Sequence, residues 1–133
     1  MPLTLEQTTL LQREATVERY FDTFNAGTFD ETAALFADAG QLCAPFEEPI
    51  AGREAIQAYL YQEAAGMRAY PKEIEVKSGD GDRRCVIVKG QVTAIVFKVN
   101  CAWIFDLNAN GEIEQVRVKL LASMQELFNL RSE

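Results

Sequence analysis

The sequence predicts an α+β fold, in which three N-terminal helices pack on a curved antiparallel or mixed β-sheet. Three observations support it. Apolar residues recur at helical spacing through the first half of the chain, and they alternate with polar residues at a period of two after about residue 72. Short polar turns separate the later segments. A curved sheet covered by helices makes a cone with an apolar interior, which is a natural ligand pocket.

The first half predicts three helices: residues 8–26, a short helix that ends near residue 36, and residues 53–65. Gly27 and Gly66 stand where the first and third helices end, because glycine adopts the left-handed conformation that closes a helix. Between the helices the sequence predicts a turn at 38–40, a short strand at 41–45 and a loop at 48–52.

The second half predicts a meander of long strands and a short tail. The predicted strands are 72–78, 84–96, 97–107 and 113–123, and a short amphipathic helical tail follows at 124–130. Gly90 interrupts the second of these strands, where a bulge or bend would curve the sheet. One face of the third strand is predicted to carry Phe97, Val99, Cys101, Trp103, Phe105 and Leu107.

Composition limits the classes of function. With 133 residues the chain has the size of one domain, and 13 basic against 20 acidic residues give a net charge of −7. This charge argues against nucleic acid and anionic membranes as electrostatic partners. No apolar run is long enough to span a membrane, and the N-terminus does not have the pattern of a signal peptide. Three widely spaced cysteines fit no zinc or disulfide framework, so we expect a cytoplasmic protein.

Histidine is missing from the sequence, and Trp103 is its single tryptophan. Without histidine the chain lacks the commonest general base and metal ligand. A buried tryptophan brings an N–H donor into an apolar wall. Recognition by an aromatic pocket with hydrogen-bond donors is therefore favoured over proton-transfer catalysis.

Several segments together resemble a known family. These are RYFDTFNA at 19–26, FADAG at 36–40, PF at 45–46, PIAGRE at 49–54, NCAW at 100–103 and LLAS at 120–123 with the ending that follows it. They resemble the nuclear transport factor 2-like fold and, more narrowly, the C-terminal domain of the cyanobacterial orange carotenoid proteins. Because the sequence begins at Met1, it looks like the free-standing homologues of that domain.

The resemblance implies a single carotenoid-binding domain over residues 1–133, with an N-terminal arm at 1–10 and a C-terminal tail at 124–133. It implies a homodimer that binds a keto-carotenoid of the canthaxanthin or echinenone type, obtains it by transient membrane contact, and passes it to helical carotenoid-binding proteins. Photoprotective quenching of singlet oxygen is the further implied role. The hairpin around 94–96, Lys119 and Cys101 depart from the two-domain pattern.

The resemblance also assigns roles to individual residues. Tyr20 and Trp103 are the expected donors to the keto oxygen, although both also suit ordinary core aromatics. Glu63 is expected to face a partner or a second subunit, or else to be a solvated helix charge. Further residues are expected to line the pocket, and their alternative is plain core packing: Cys101, Leu120, Val118, Val92 and Ile56. Cys101 is in addition a candidate redox thiol, and its alternative is a small buried hydrophobe.

Two other classes of function remain open at the level of sequence. The same fold hosts small-molecule isomerases and dehydratases, so the fold does not exclude an enzyme. The position expected to carry a catalytic aspartate, just before a proline, reads Ala44-Pro45, and Asp106 falls on the other face of its strand. We therefore expect no catalysis. A plain dimerisation module is the third reading, and the presence of pigment on the purified protein distinguishes it.

Overall fold

The computed structural model describes residues 3–121, apart from the side chains at positions 9, 10 and 12. It confirms the α+β class: residues 3–121 form four helices and one six-stranded sheet, and the fourth helix lies between the second and third strands. The helices are α1 (Leu5–Arg13), α2 (Ala15–Ala26), α3 (Phe29–Ala34) and α4 (Arg53–Glu63). The strands are β1 (Phe36–Cys43), β2 (Ile50–Ala51), β3 (Arg68–Ser78), β4 (Arg84–Thr93), β5 (Lys98–Leu107) and β6 (Ile113–Leu121).

The helix predicted over 8–26 is two helices, and the prediction of three helices is wrong for this reason. Glu14 separates α1 from α2 with non-helical dihedral angles, φ −98° and ψ 74°. Its buried carboxylate lies 2.9 Å from a guanidinium nitrogen of Arg84, at the start of β4. The spacing of apolar residues cannot predict an ion pair with a distant strand. The N-terminal arm predicted at 1–10 is likewise helical from Leu5 onward.

Helix α2 packs on the sheet through an apolar stripe. The buried side chains of the stripe are Val17, Tyr20, Phe21 and Phe24. Gly27 ends the helix at φ 75°, as predicted. The Asn25 side chain then joins the helix to β3, because its amide donates to the Ala69 carbonyl (2.9 Å) and its oxygen accepts from the Ala69 N–H (2.7 Å).

The strand order of the sheet is β2-β1-β6-β5-β4-β3, and β1 is the one strand of the described chain that runs parallel to its neighbour, β6. β1 already begins at Phe36 and passes through the predicted turn at 38–40, where its register against β6 shifts. The predicted loop at 48–52 contains β2. The first difference arises because β1 pairs with β6, a segment distant in sequence, and the second because residues 50–51 pair with the end of β1.

The irregularity predicted at Gly90 is present, but the unpaired residue of the bulge belongs to the neighbouring strand β3 and not to β4. Pro71 pairs with Gly90 and Glu73 with Lys89, so Lys72 is the unpaired residue of a bulge in β3. A Cβ atom at position 90 would overlap the Tyr70 carbonyl oxygen. The missing side chain of Gly90 therefore permits the close approach of the two strands.

The predicted inward face of β5 is confirmed at its centre, where Cys101, Trp103, Phe105 and Leu107 are all buried. Strand β4 stops at Thr93, earlier than predicted, and residues 94–97 form the turn to β5. Strand β3 begins earlier than predicted, at Arg68. The tail predicted at 124–130 and the end of the predicted last strand lie outside the described residues.

Candidate functional site

A cavity of about 190 Å³ opens between the concave face of the sheet and the helices α2 and α4. Its lining is almost wholly apolar. Helix α2 contributes Tyr20 and Phe24, and the segment after β1 contributes Ala44 and Pro45. The remaining lining residues are Leu42, Tyr59, Leu60, Glu63, Ala64, Met67, Val92, Phe97, Val99, Cys101, Trp103, Val118 and Leu120.

The register of the sheet explains why these strand residues meet. Trp103 stands between Val88 on β4 and Val118 on β6, so these three side chains form one row across the sheet. The next row, toward the start of β5, consists of Gly90, Cys101 and Leu120. Because side chains alternate between the faces of a strand, both rows project to the same side. Gly90 contributes no side chain there, which leaves room above the sheet.

Tyr20 and Trp103 both reach the cavity, and both rings are fixed by aromatic neighbours. The Phe21 ring meets Tyr20 edge to face at 5.4 Å and Trp103 at 5.0 Å, and Phe105 meets Tyr20 at 5.0 Å. Each of the two residues is only 2% exposed. Among residues 3–121 no hydrogen bond joins the Tyr20 hydroxyl or the Trp103 indole N–H to another group. The cavity thus contains two hydrogen-bond donors whose capacity is unused within the described chain.

A second tyrosine of the cavity, Tyr59, lies on α4 near Tyr20. Burial and, to a smaller degree, the neighbouring Tyr59 raise the pKa of Tyr20 far above the ordinary tyrosine value. Burial, followed by the negative charges of Glu47 and Glu63, raises the pKa of Tyr59. Both phenols therefore stay protonated at neutral pH and can act as donors.

Cys101 lies in the cavity wall, as expected. It is 2% exposed, and burial raises the pKa of its thiol. Redox-active cysteines are accessible and have low pKa values, because the thiolate is the reactive form. Both features of Cys101 thus argue against the redox role and fit the alternative of a small buried hydrophobe.

The structure brings together seven of the eight site residues that the sequence suggested. Val92, Val118 and Leu120 line the cavity with Tyr20, Trp103 and Cys101, and the exposed Glu63 stands at the end of α4 beside them. Ile56 is the exception, because it does not line the cavity. It is fully buried in the hydrophobic core, one helical turn before the lining residue Leu60.

Sequence reasoning missed several lining residues, above all Tyr59, Phe97 and Met67. The helical spacing of Tyr59 to Glu63 places both on one face of α4 and would have indicated the tyrosine. Met67 follows the glycine that ends the predicted helix, and its position depends on where β3 begins. The spacing of residues therefore could not have indicated Met67 as a lining residue.

The described residues contain neither a metal-binding cluster nor a membrane-spanning helix. No group of three or more histidine, cysteine, aspartate or glutamate side chains within residues 3–121 is arranged to hold a metal ion. No helix in that part of the chain is long and apolar enough to cross a membrane.

Comparison with known proteins identifies the family. A model of the SnoaL-like domain matches residues 17–116, which is most of the chain. The chain belongs to the SnoaL-like domain family. The expected nuclear transport factor 2-like fold is confirmed by this match and by the structural similarities that follow.

Two relatives of this SnoaL-like chain are orange carotenoid proteins. The orange carotenoid-binding protein of Limnospira maxima is 34% identical over 97% of this chain and 43% of its own length. The structure of the Anabaena (Nostoc) sp. PCC 7120 orange carotenoid protein binding canthaxanthin is 35% identical. It superimposes with a TM-score of 0.79 over 87% of this chain and 38% of that one. The chain therefore spans less than half the length of either relative.

An enzyme shares the fold at a lower level of identity. The epoxide hydrolase/cyclase-like enzyme SalBIII, studied for its role in pyran ring formation, is 23% identical. Its structure has a TM-score of 0.63 over 86% of this chain and 92% of that one. At this identity the similarity extends to the fold alone.

Proposed function

We propose that this SnoaL-like protein is a non-enzymatic keto-carotenoid carrier, with a ligand of the canthaxanthin or echinenone type. The observation that carries the proposal is the apolar cavity with two donors, Tyr20 and Trp103, that have no hydrogen-bond partner among residues 3–121, in a chain 34% identical to an orange carotenoid-binding protein. The apolar wall suits a hydrocarbon end ring, and the two donors suit a ring substituent that accepts hydrogen bonds.

A ketone oxygen matches these donors because it has two lone pairs and no proton to donate. Two donors on one carbonyl withdraw electron density along a conjugated chain, which stabilises charge-transfer excited states and shifts absorption to the red. A hydroxylated ring without a ketone would bring an additional donor into a cavity that already has donors. The ketone is therefore the better complement to Tyr20 and Trp103.

The size of the cavity supports a homodimer as the carrier. A cavity of about 190 Å³ accommodates an end ring but not an entire extended polyene. A domain of this length has a radius of gyration of roughly 14 Å, so a single chain cannot enclose the rod. Two chains related by a two-fold axis, with the cavity mouths facing each other, would enclose one ring each.

The carrier role includes an origin and a destination for the pigment. We place uptake at a membrane by transient contact, and delivery at helical carotenoid-binding proteins, with Glu63 exposed at the cavity for contact with a partner or the second subunit. Three free cysteines within the described chain are consistent with the cytoplasm. Photoprotective quenching of singlet oxygen follows from the pigment.

The decisive experiment is expression in bacteria that produce ketocarotenoids. The purified protein should be coloured, and the double variant Tyr20→Phe/Trp103→Phe should retain less pigment and absorb further to the blue. Tyr61→Phe is the matched control, because Tyr61 is an exposed tyrosine of α4 outside the cavity lining. Colourless protein from cells shown to contain pigment would contradict the proposal and would favour the dimerisation module.

An isomerase or dehydratase is disfavoured by the chemistry of the lining. Ala44 and Pro45 border the cavity where the isomerases would require an aspartate. Among the described lining residues the carboxylate is that of Glu63, which is exposed rather than enclosed. A general base needs to reach a proton on a bound substrate, and the enclosed part of the lining provides donors instead.

A further inference from the structure

Exposed apolar residues gather at one end of the sheet. Strands β1 and β6 are parallel and end at the same side, and the turn between β4 and β5 lies there too, because β5 pairs antiparallel with both β4 and β6. The start of β3 joins them, since Arg68 pairs with Thr93. We name the segments 44–49, 63–68, 94–98 and 119–121 the rim. Each contributes at least one residue to the cavity lining.

The apolar side chains of the rim project into solvent instead of covering the core. Ile95 is 99% exposed, Phe46 97% and Val96 88%. Their chain neighbours Pro45 and Phe97 line the cavity, so the exposed tips stand directly beside its opening. Phe46 has a φ of 63°, a conformation that is unfavourable for a bulky side chain. The backbone is therefore in an unfavourable conformation at Phe46, the residue whose side chain is exposed.

The rim differs from the rest of the molecule in charge. Its acidic residues are Glu47, Glu48 and Glu63, and its basic residues are Arg68, Lys98 and Lys119, so three of each sign give a net charge of zero. The whole chain has a net charge of −7, which therefore lies entirely outside the rim. An electrically balanced rim with apolar tips has no preference for anionic or cationic partners.

We propose that the rim docks on an uncharged lipid surface, with Ile95, Val96 and Phe46 inserted among the acyl chains and the cavity opening onto the bilayer. The inference rests on the proposed carrier function, because docking would serve the uptake of pigment from the membrane. Neutral lipid is favoured over anionic lipid because the acidic excess elsewhere on the chain is repelled by an anionic surface. It is favoured over a protein surface because isolated tips insert into a fluid layer without needing a complementary shape.

Vesicle flotation of the pigment-free protein tests the docking. The probes are phosphatidylcholine vesicles with and without added phosphatidylglycerol, at low and high salt. We expect binding to pure phosphatidylcholine that salt does not weaken. The variant Ile95→Asp/Val96→Asp should lower the partition coefficient at least about tenfold, because two buried aliphatic side chains are replaced by charges.

The matched control adds the same two charges at the opposite end of the sheet. Ala109→Asp/Asn110→Asp alters exposed residues of the β5–β6 turn and should bind vesicles as the wild type does. Both variants should keep the wild-type melting temperature, since all four side chains are exposed.

Three results would overturn the docking. The first is equal flotation of the rim variant and the control, and the second is binding that requires phosphatidylglycerol. The third is a rim variant that floats normally but loses a dimer present in the wild type, which would assign the rim to the facing cavity mouths of the proposed dimer alone. No pigment is present in these experiments, so their failure is separate from a failure of carotenoid binding.

Discussion

Removal of the hydroxyl oxygen of Tyr20 should leave the stability of the pigment-free protein almost unchanged but weaken pigment binding. In Tyr20→Phe the aromatic contacts to Phe21, Phe24 and Phe105 remain, because the ring is kept. The hydroxyl has no hydrogen-bond partner among the described residues, so the substitution removes no hydrogen bond within residues 3–121. We expect the unfolding free energy of the pigment-free protein to change by less than about 0.5 kcal/mol.

Pigment affinity should fall in the same variant. A hydrogen bond to a ligand oxygen contributes about 1 kcal/mol, which corresponds to about a five-fold change in dissociation constant. The loss is larger if the carbonyl then has no other donor. The absorption of the bound pigment should move to the blue, because one polarising donor is missing.

Urea unfolding of the pigment-free protein and pigment titration followed by absorption measure the two effects. Tyr61→Phe is the control, since its hydroxyl donates to Asp30 at 3.3 Å and lies outside the cavity lining. Its pigment spectrum should be that of the wild type. A Tyr20→Phe protein that is less stable by more than about 1 kcal/mol, with unchanged affinity and spectrum, would show that the hydroxyl is structural.

Three further predictions concern pH, packing and the thiol. Because the pKa of Tyr20 is raised in the folded state, its stabilising contribution is complete below about pH 10 and is lost at higher pH, by up to about 1.4 kcal/mol per pH unit. Urea unfolding in alkali should show this slope in the wild type and a smaller slope in Tyr20→Phe. Gly90→Ala should destabilise the fold by about 2 kcal/mol or more, because the new methyl overlaps the Tyr70 carbonyl, whereas Gln91→Ala should have little effect. Cys101 should react with a maleimide more slowly than an unstructured cysteine at the same pH, and pigment should slow it further; rapid, pigment-independent labelling would contradict its place in the cavity wall.

The sequence predicted the strand interior of the site well, because a period of two determines which side chains share a face. Trp103 and Cys101 were assigned to one face from their spacing alone, and the register then placed Val118 and Leu120 beside them. The helical stripe of α2 similarly brought Tyr20 inward. These assignments depend on local geometry, which the order of residues determines directly.

Other features depend on contacts between distant parts of the chain. The helix break at Glu14 comes with an ion pair to Arg84, and β1 extends through a predicted turn because it pairs with β6. Ile56 has the helical phase of the lining residue Leu60, yet it lies one turn deeper in the core. Periodicity predicts which face of a helix a side chain lies on, but not whether that side chain lines the cavity or lies in the core. The sequence therefore could not distinguish Ile56 from Leu60.

The protonation of Tyr20 connects the fold to the choice between binding and catalysis. The raised pKa keeps the phenol protonated well above neutral pH, so its O–H remains available to donate a hydrogen bond. The indole N–H of Trp103 donates and cannot accept. A wall whose enclosed polar groups act as donors stabilises a bound acceptor without transferring a proton. Among the described lining residues the enclosed polar side chains are therefore donors, and the carboxylate, that of Glu63, is exposed.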